Sequence, residues 1–266
     1  MEAQVDRLVE KAWKMYEQTP SDKRLCRPPL QLTIGDNDCA LKYLFLYSIM
    51  HRSLTCAKVI GVAGIPGSGK TTLAAIVSSR LQDRAREAGA NGQVSIALSM
   101  DGFHKTRKEL SAMPDPDTAH ARRGAAYTFN ADKYLDLVTS LRDSIGAPVL
   151  APTFDHALKD PREGDIIIQE VTRIVVVEGL YVALDEPVWR DAGRLLDDIW
   201  FVNVDFEVAR KRLRERHVRA GIVKDLEEGD RRALENDLVN GKEIVEKKLP
   251  VSEIVQSRDD GSWVHE

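Results

Sequence analysis

Two rhythms of apolar residues alternate along this chain. Between Val5 and Gln18, Leu8, Ala12, Trp13 and Tyr16 fall at helical spacing and Thr19, Pro20 and Ser21 close the run, so the pattern predicts an amphipathic packing helix. From Lys58 onward, short unbroken apolar runs alternate with longer mixed ones. Strands are expected at Val59 to Ala63, Val94 to Met100, Arg173 to Val177 and Asp198 to Val204; helices are expected at Thr71 to Ala88, Ala131 to Ser144 and Phe206 to Ala220. Strands separated by helices indicate βαβ units and a parallel sheet covered on both faces. Met113 to Thr118 and Asp160 to Asp165 read as loops.

One stretch breaks this texture. Leu25 to Ala57 carries all three cysteines (Cys26, Cys39, Cys56), the pair Pro28-Pro29, the turn signal Gly35-Asp36-Asn37-Asp38 and the sticky run Tyr43 to Tyr47. The chain therefore divides into residues 1–57, a helix followed by an atypical insertion at 25–57, and a main domain at 58–266. An odd cysteine count without C-x-x-C spacing points to neither a disulfide framework nor a zinc site.

Composition narrows the function classes. The 266 residues, 43% hydrophobic, suffice for one sizeable core. A net charge of −4 supplies no general field for nucleic acid or anionic lipid, so any phosphate binding must be local. The longest apolar run, Ala40 to Met50, contains Lys42 and falls short of the roughly 20 residues a membrane span needs. The start, Met-Glu-Ala-Gln-Val-Asp-Arg, is unlike a secretory signal. A soluble cytoplasmic protein without nucleic-acid or membrane partners is expected; a homodimer is left open.

Such a local phosphate site is written at Gly64-Ile65-Pro66-Gly67-Ser68-Gly69-Lys70-Thr71, which satisfies G-x-x-x-x-G-K-[ST] at every specified position. It follows an apolar strand and opens a helix at Thr72, the context the mechanism needs. Glycines let the backbone wrap an anion, and the helix amino terminus adds partial positive charge. Lys70 is expected to bridge the β- and γ-phosphates of ATP, and the Thr71 hydroxyl to ligate Mg²⁺.

Two carboxylates follow predicted strands. Asp101-Gly102 comes after Val94 to Met100; alone such a pair is usually a turn, but at a strand end beside a phosphate loop Asp101 suits an acceptor-activating base. Glu178 ends the run Arg173 to Val177 and fits a metal-holding carboxylate, the plain alternative being a solvated strand end. Asp205 can cap a helix rich in arginine. Part of that run is a solvated face, yet Arg212 and Arg216, one turn apart, suit a mobile lid over the transferring phosphoryl group.

With these residues in view, the chain resembles the phosphoribulokinase/uridine kinase superfamily of P-loop kinases, which includes pantothenate kinase, from about Lys58 to Arg258. Beyond the phosphate loop, the carrying segments are Met100 to His104, Arg122 to Asn130, Pro152 to His156 and Val177 to Tyr181. The resemblance implies a three-layer α/β P-loop fold with a five-stranded parallel sheet and a helical lid. It implies Asp101 as catalytic base, Glu178 at the metal, and an acceptor pocket near His104, Arg123, Tyr127, Phe154 and His156. Ala126 stands where the family commonly has proline, a departure that bears on the acceptor. Asn236 and Asn240 either approach the nucleotide base or cap a helix.

The expected function is transfer of the ATP γ-phosphate, with Mg²⁺, to a hydroxyl of a small nucleoside-, pantothenate- or sugar-like metabolite. A P-loop ATPase and a nucleotide-binding regulatory protein without an acceptor are the alternatives.

Overall fold

The computed structural model describes residues 2–18, 57–143 and 147–258. The expected insertion, apart from Ala57, lies outside the described residues. Helix α1 (Glu2–Glu17) buries Val5, Leu8, Val9, Ala12 and Trp13, the stripe its spacing predicts. Strand β1 (Lys58–Gly64) then leads through the glycine loop into α2 (Lys70–Glu87), followed by β2 (Ser95–Ser99) and a 3-10 turn at Met100–Phe103. Short helices α3 (Arg107–Ser111) and α4 (Pro116–Ala121) precede α5 (Ala131–Asp143), the strands β3 (Val149–Asp155) and β4 (Asp160–Ile168), and β5 (Ile174–Glu178). The remaining elements are α6 (Trp189–Arg194), β6 (Asp198–Asn203), α7 (Phe206–Arg219), α8 (Leu226–Arg232), a π-helical turn at Ala233–Asp237, α9 (Leu238–Glu246) and β7 (Glu253–Gln256).

The main sheet has five strands in the order β2-β5-β1-β6-β7, every neighbouring pair parallel. Alternate side chains serve opposite faces. Ile60, Val62, Val176, Trp200 and Val202 pack under α1 and α2, with Leu73, Val77 and Leu81. Val59, Ala63, Val175, Val177 and Phe201 pack under α5, α6, α7 and α9, with Tyr134, Trp189, Leu213 and Ile244. Each such aliphatic side chain, fully removed from water, contributes about 1.5–3 kcal/mol. That double burial explains why these strands read as unbroken apolar runs.

Helix α1 is fastened by charge as well as by its apolar stripe. Arg80 of α2 pairs with Glu2 and Asp6, Arg84 pairs with Glu10 and lies 4.4 Å over the Trp13 ring. On its other side Lys11 reaches Asp198 of β6 and Glu253 of β7, and the Gln4 side chain donates to the Gln256 carbonyl and accepts its amide.

Two loop expectations need correction. Asp160 to Asp165 belongs to β4, which pairs antiparallel with β3 in a separate hairpin. Its polar residues stand exposed on a sheet with one wet face, so no apolar alternation marks it. The turn is set by the Asp155 carboxylate, which accepts the Ala157 and Leu158 amides at 2.8 and 2.9 Å. Within Met113 to Thr118, Pro116 opens α4: its fixed φ suits a first helical position, and the Asp115 carboxylate caps the Thr118 amide at 3.1 Å. Among the described residues no helix is long and apolar enough to cross a membrane.

Candidate active site

The phosphate loop is shaped by close approach. Gly67 and Gly69 have φ of 77° and 91°, in the left-handed region that disfavours any side chain. A Cβ on Gly67 would lie 3.0 Å from the Ala209 carbonyl and 3.2 Å from Leu213, so α7 rests directly on the loop. The cap of α2 is Gly69, which offers no side-chain acceptor, and this leaves the first amides of the helix for an anion. Ser68 is fully buried and its hydroxyl has no partner among the described residues.

The parallel register brings the two strand-end carboxylates to this loop. Glu178 stands opposite Val62 on one side and Ser99 on the other, two residues before Gly64 and Asp101 respectively. It is only 4% exposed. Burial raises its pKa above the usual carboxylate range, and the Asp101 charge adds to that; Lys70 and the Ser99 and Thr71 hydroxyls, which hydrogen-bond it, oppose the rise. Lys70, Thr71, Asp101 and Glu178 thus form one electrostatic cluster. Gly179 makes this possible on the far side of β5, since a Cβ there would run into Met100.

His104 follows one turn after Asp101. Its Nδ1 lies 2.8 Å from the Asp101 carbonyl and so carries the proton, which leaves Nε2 as an acceptor. Burial holds its pKa below the ordinary value, with Arg123 and His156 pushing the same way. The ring stacks on Phe129 at 3.9 Å and approaches Phe154 at 5.0 Å; Phe154 in turn contacts His156 at 5.2 Å. The Arg123 guanidinium lies 5.3 Å over Phe154 and donates to the Lys159 and Lys105 carbonyls at 2.6 and 2.9 Å. His104, Arg123, Phe154 and His156 therefore meet beside Asp101. Tyr127 does not join them. It is half-exposed and lines, with Phe129, Trp189, Glu186 and Glu243, a cavity of about 480 Å³.

Arg212 and Arg216, the pair expected to form a lid, have different surroundings. Arg212 donates to the Gly67 carbonyl at 3.2 Å, the Ser257 hydroxyl at 2.9 Å and the Arg258 carbonyl at 2.8 Å, tying the loop to the strand following α9. Arg216 is exposed. Nearby, Arg210 makes a two-pronged bond to Asp230 at 2.7 and 2.6 Å, which locks α8 onto α7.

Sequence reasoning left out Ser99 and Phe129. Ser99 had one available signal, its position at a strand end beside Asp101; Phe129 lay within the segment Arg122 to Asn130 that carries the resemblance and was given no role of its own. Asn236 and Asn240 are buried and hydrogen-bond the Arg122 to Arg123 segment.

No group of three or more His, Cys, Asp or Glu side chains among the described residues could hold a metal by itself. A hydroxyl and a buried carboxylate in mutual contact, Thr71 and Glu178, are nonetheless hard oxygen donors of the kind Mg²⁺ takes when substrate phosphates complete its shell.

Known proteins resemble this chain in sequence and in fold. The sequence profile described as the Phosphoribulokinase / Uridine kinase family matches residues 59–224. The chain is 46% identical over 167 residues to the ATP-dependent kinase-like protein notR' of Aspergillus versicolor, a match covering 62% of this chain and 95% of that protein. It is 38% identical over 197 residues to a Schizosaccharomyces pombe protein named as a candidate uridine kinase, covering 74% of this chain and 81% of the other. Among solved structures it is similar to a candidate fructose transport system kinase of Silicibacter sp. TM1040, with a TM-score of 0.65 and 26% identity over 83% of this chain and 99% of that one.

Proposed function

The chain belongs to the Phosphoribulokinase / Uridine kinase family and is a kinase, and from that premise we propose that it transfers the γ-phosphate of ATP to a hydroxyl of a small metabolite. The observation that carries this reading is the meeting of Lys70, Thr71, Asp101 and Glu178 at the carboxyl ends of adjacent parallel strands. Open α/β sheets bind ligands at that edge.

Each residue has a task that its surroundings suit. The loop Gly64 to Thr72 and the start of α2 hold the donor phosphates, and Lys70 sets its ammonium against the β- and γ-phosphates. Thr71 and Glu178 would hold Mg²⁺, which when bound neutralises charge on the transferring group. Asp101 accepts the acceptor's hydroxyl proton, and His104, whose pKa burial lowers, offers Nε2 as an acceptor to a second hydroxyl or N–H of the same metabolite. Arg123, Phe154 and His156 form a pocket of one cation, one ring and one imidazole, suited to a polar metabolite with a flat or hydroxylated face. Arg216 closes over the transition state from the lid, while Arg212 holds the loop's outer side. Most of the rate in such chemistry comes from positioning and electrostatics.

The names of relatives point to nucleoside and sugar acceptors, which sets the assay. ADP release is measured with Mg-ATP against uridine, other nucleosides, pantothenate, D-fructose, D-ribose and sugar acids, beside Lys70→Ala and Asp101→Asn. One acceptor should raise turnover above the acceptor-free rate, and Asp101→Asn should remove about 10²–10⁴ of it. Turnover indifferent to every acceptor would replace the kinase reading with that of an ATPase.

A further inference from the structure

The segment Arg122-Arg123-Gly124 carries the acceptor-side arginine, yet no regular element holds it. Four groups from elsewhere do. The Arg122 guanidinium donates to the Asn240 Oδ1 and to the Glu235 carbonyl, both at 2.7 Å. The Asn236 side-chain amide donates to the Arg123 carbonyl at 3.0 Å. The Tyr181 hydroxyl donates to the Gly124 carbonyl at 3.2 Å. Gly124 has φ 107° and faces both asparagine amides, 3.7 and 3.9 Å from where its Cβ would be. Asn236 and Asn240 are 5% and 3% exposed, so their own amides are shielded from water and an unmade bond at either would be costly, while the Arg122 and Arg123 ends of these bonds are part-buried.

The same short stretch also touches the donor side. Gly241, next to Asn240 in α9, lies so close to the phosphate loop that a Cβ would stand 3.1 Å from Ile65 and 3.5 Å from Pro66. Asn236 sits in the π-helical turn Ala233–Asp237, the irregularity that precedes α9. A π turn inside a helical run shifts the following face and is common at functional sites. Within six residues, then, α9 packs on the donor loop through Gly241 and holds the Arg122 side chain through Asn240, while the π turn just before it grips the Arg123 backbone through Asn236.

We propose that Asn236 and Asn240 are positioning residues: they fix Arg123 relative to the phosphate loop and thereby set acceptor affinity. The proposal rests on the acceptor role given to Arg123 above. The two asparagines use opposite ends of their amides, Asn240 as acceptor and Asn236 as donor. Isosteric aspartates should therefore part them. Asn240→Asp keeps the oxygen that Arg122 needs and adds a favourable charge. Asn236→Asp removes the donor and sets an oxygen against the Arg123 carbonyl.

The experiment compares N236D and N240D with the unaltered protein in two readouts. The first is amide hydrogen exchange over residues 122–130. The second is steady-state kinetics with Mg-ATP and whichever of uridine, D-fructose or pantothenate is phosphorylated fastest. In N236D, exchange over 122–130 should quicken and the acceptor KM should rise about tenfold or more, the worth of one buried hydrogen bond, while the KM for ATP stays within about twofold. N240D should match the unaltered protein in both. Equal behaviour of the two variants, or unchanged exchange in N236D, overturns the proposal. Should the unaltered protein phosphorylate nothing, the acceptor reading falls, and hydrogen exchange alone still decides whether Asn236 holds the segment.

Discussion

Ser99 on β2 and Glu178 on β5 stand opposite each other in the parallel ladder, and the serine hydroxyl serves both strand ends: it accepts the Asp101 amide at 3.3 Å and hydrogen-bonds the Glu178 carboxyl. One small side chain thus bridges Asp101 and Glu178, the proposed base and the proposed metal-side carboxylate, across the parallel register.

Removing that hydroxyl has a calculable sign. The bond from Ser99 lowers the Glu178 pKa against the dominant upward effect of burial. In Ser99→Ala the pKa should climb further, and if the ionised carboxylate is the working form, the acid limb of the kcat/KM profile should move to higher pH. The shift should be of the order of one pH unit, the value of a single hydrogen bond. A profile that does not move would detach Ser99 from the titrating group.

Glu178 also ties stability to pH. Because its folded-state pKa is raised above the ordinary 4.5, the protonated form suits the fold better; the stability it confers is fully present below that ordinary value and is lost as pH rises through the elevated one. Glu178→Gln avoids this loss. Its Tm should exceed that of the unaltered protein at pH 7–8, by about 2–4 °C per kcal/mol, and the difference should shrink as pH falls toward the ordinary value. Turnover should collapse in the same variant. A Tm difference independent of pH would contradict the assignment.

Gly67→Ala tests the loop's shape. The new Cβ meets the Ala209 carbonyl at 3.0 Å in a backbone region that costs a non-glycine residue of the order of 1–3 kcal/mol. Binding of a fluorescent ATP analogue should weaken about tenfold or more, with a lowered Tm. Unchanged binding would show that the loop does not need its present path.

The two lid arginines should separate cleanly. Arg212→Ala loses three hydrogen bonds to the loop and to Ser257 and Arg258, and thermal unfolding should come several degrees earlier. Arg216→Ala, at an exposed position, should leave Tm unmoved and lower kcat instead. The reverse pattern would exchange their roles.

The domain division is open to deletion. A variant lacking residues 25–56 is expected to stay soluble and to bind the ATP analogue as before. Loss of soluble protein would make the stretch integral to the fold.

How much of this was legible in the sequence depended on whether a residue's neighbours were local. The loop Gly64 to Thr71 is a contiguous signal, and its strand and helix follow from runs such as Val59 to Ala63. Four main-sheet strands, β1, β2, β5 and β6, were legible because burial on both faces leaves few polar positions; the edge strand β7, in which only Val255 is buried, was not. β4 was not, because Arg162, Glu163 and Asp165 face water in a hairpin of its own. His104, Arg123, Phe154 and His156 were grouped through family likeness, and they do meet. Tyr127 came with them in that grouping; the turn at Ala126–Thr128 sets it in a neighbouring cavity that shares Phe129 and Lys105 with the cluster. The grip of Asn236 on Arg123 spans 113 positions in the chain, and no local pattern records it.

Helix α1 is joined to its neighbours by a buried apolar stripe and by ion pairs to α2, β6 and β7, all of them made between residues 2–17 and elements that begin at Lys58 or later. Among the described residues the kinase is in this sense a complex of two pieces, a docked helix and the sheet it docks on. A synthetic peptide of residues 1–18 is expected to dock in trans on a chain beginning at Ala57, which makes the face that α1 covers a place to split and reassemble this protein.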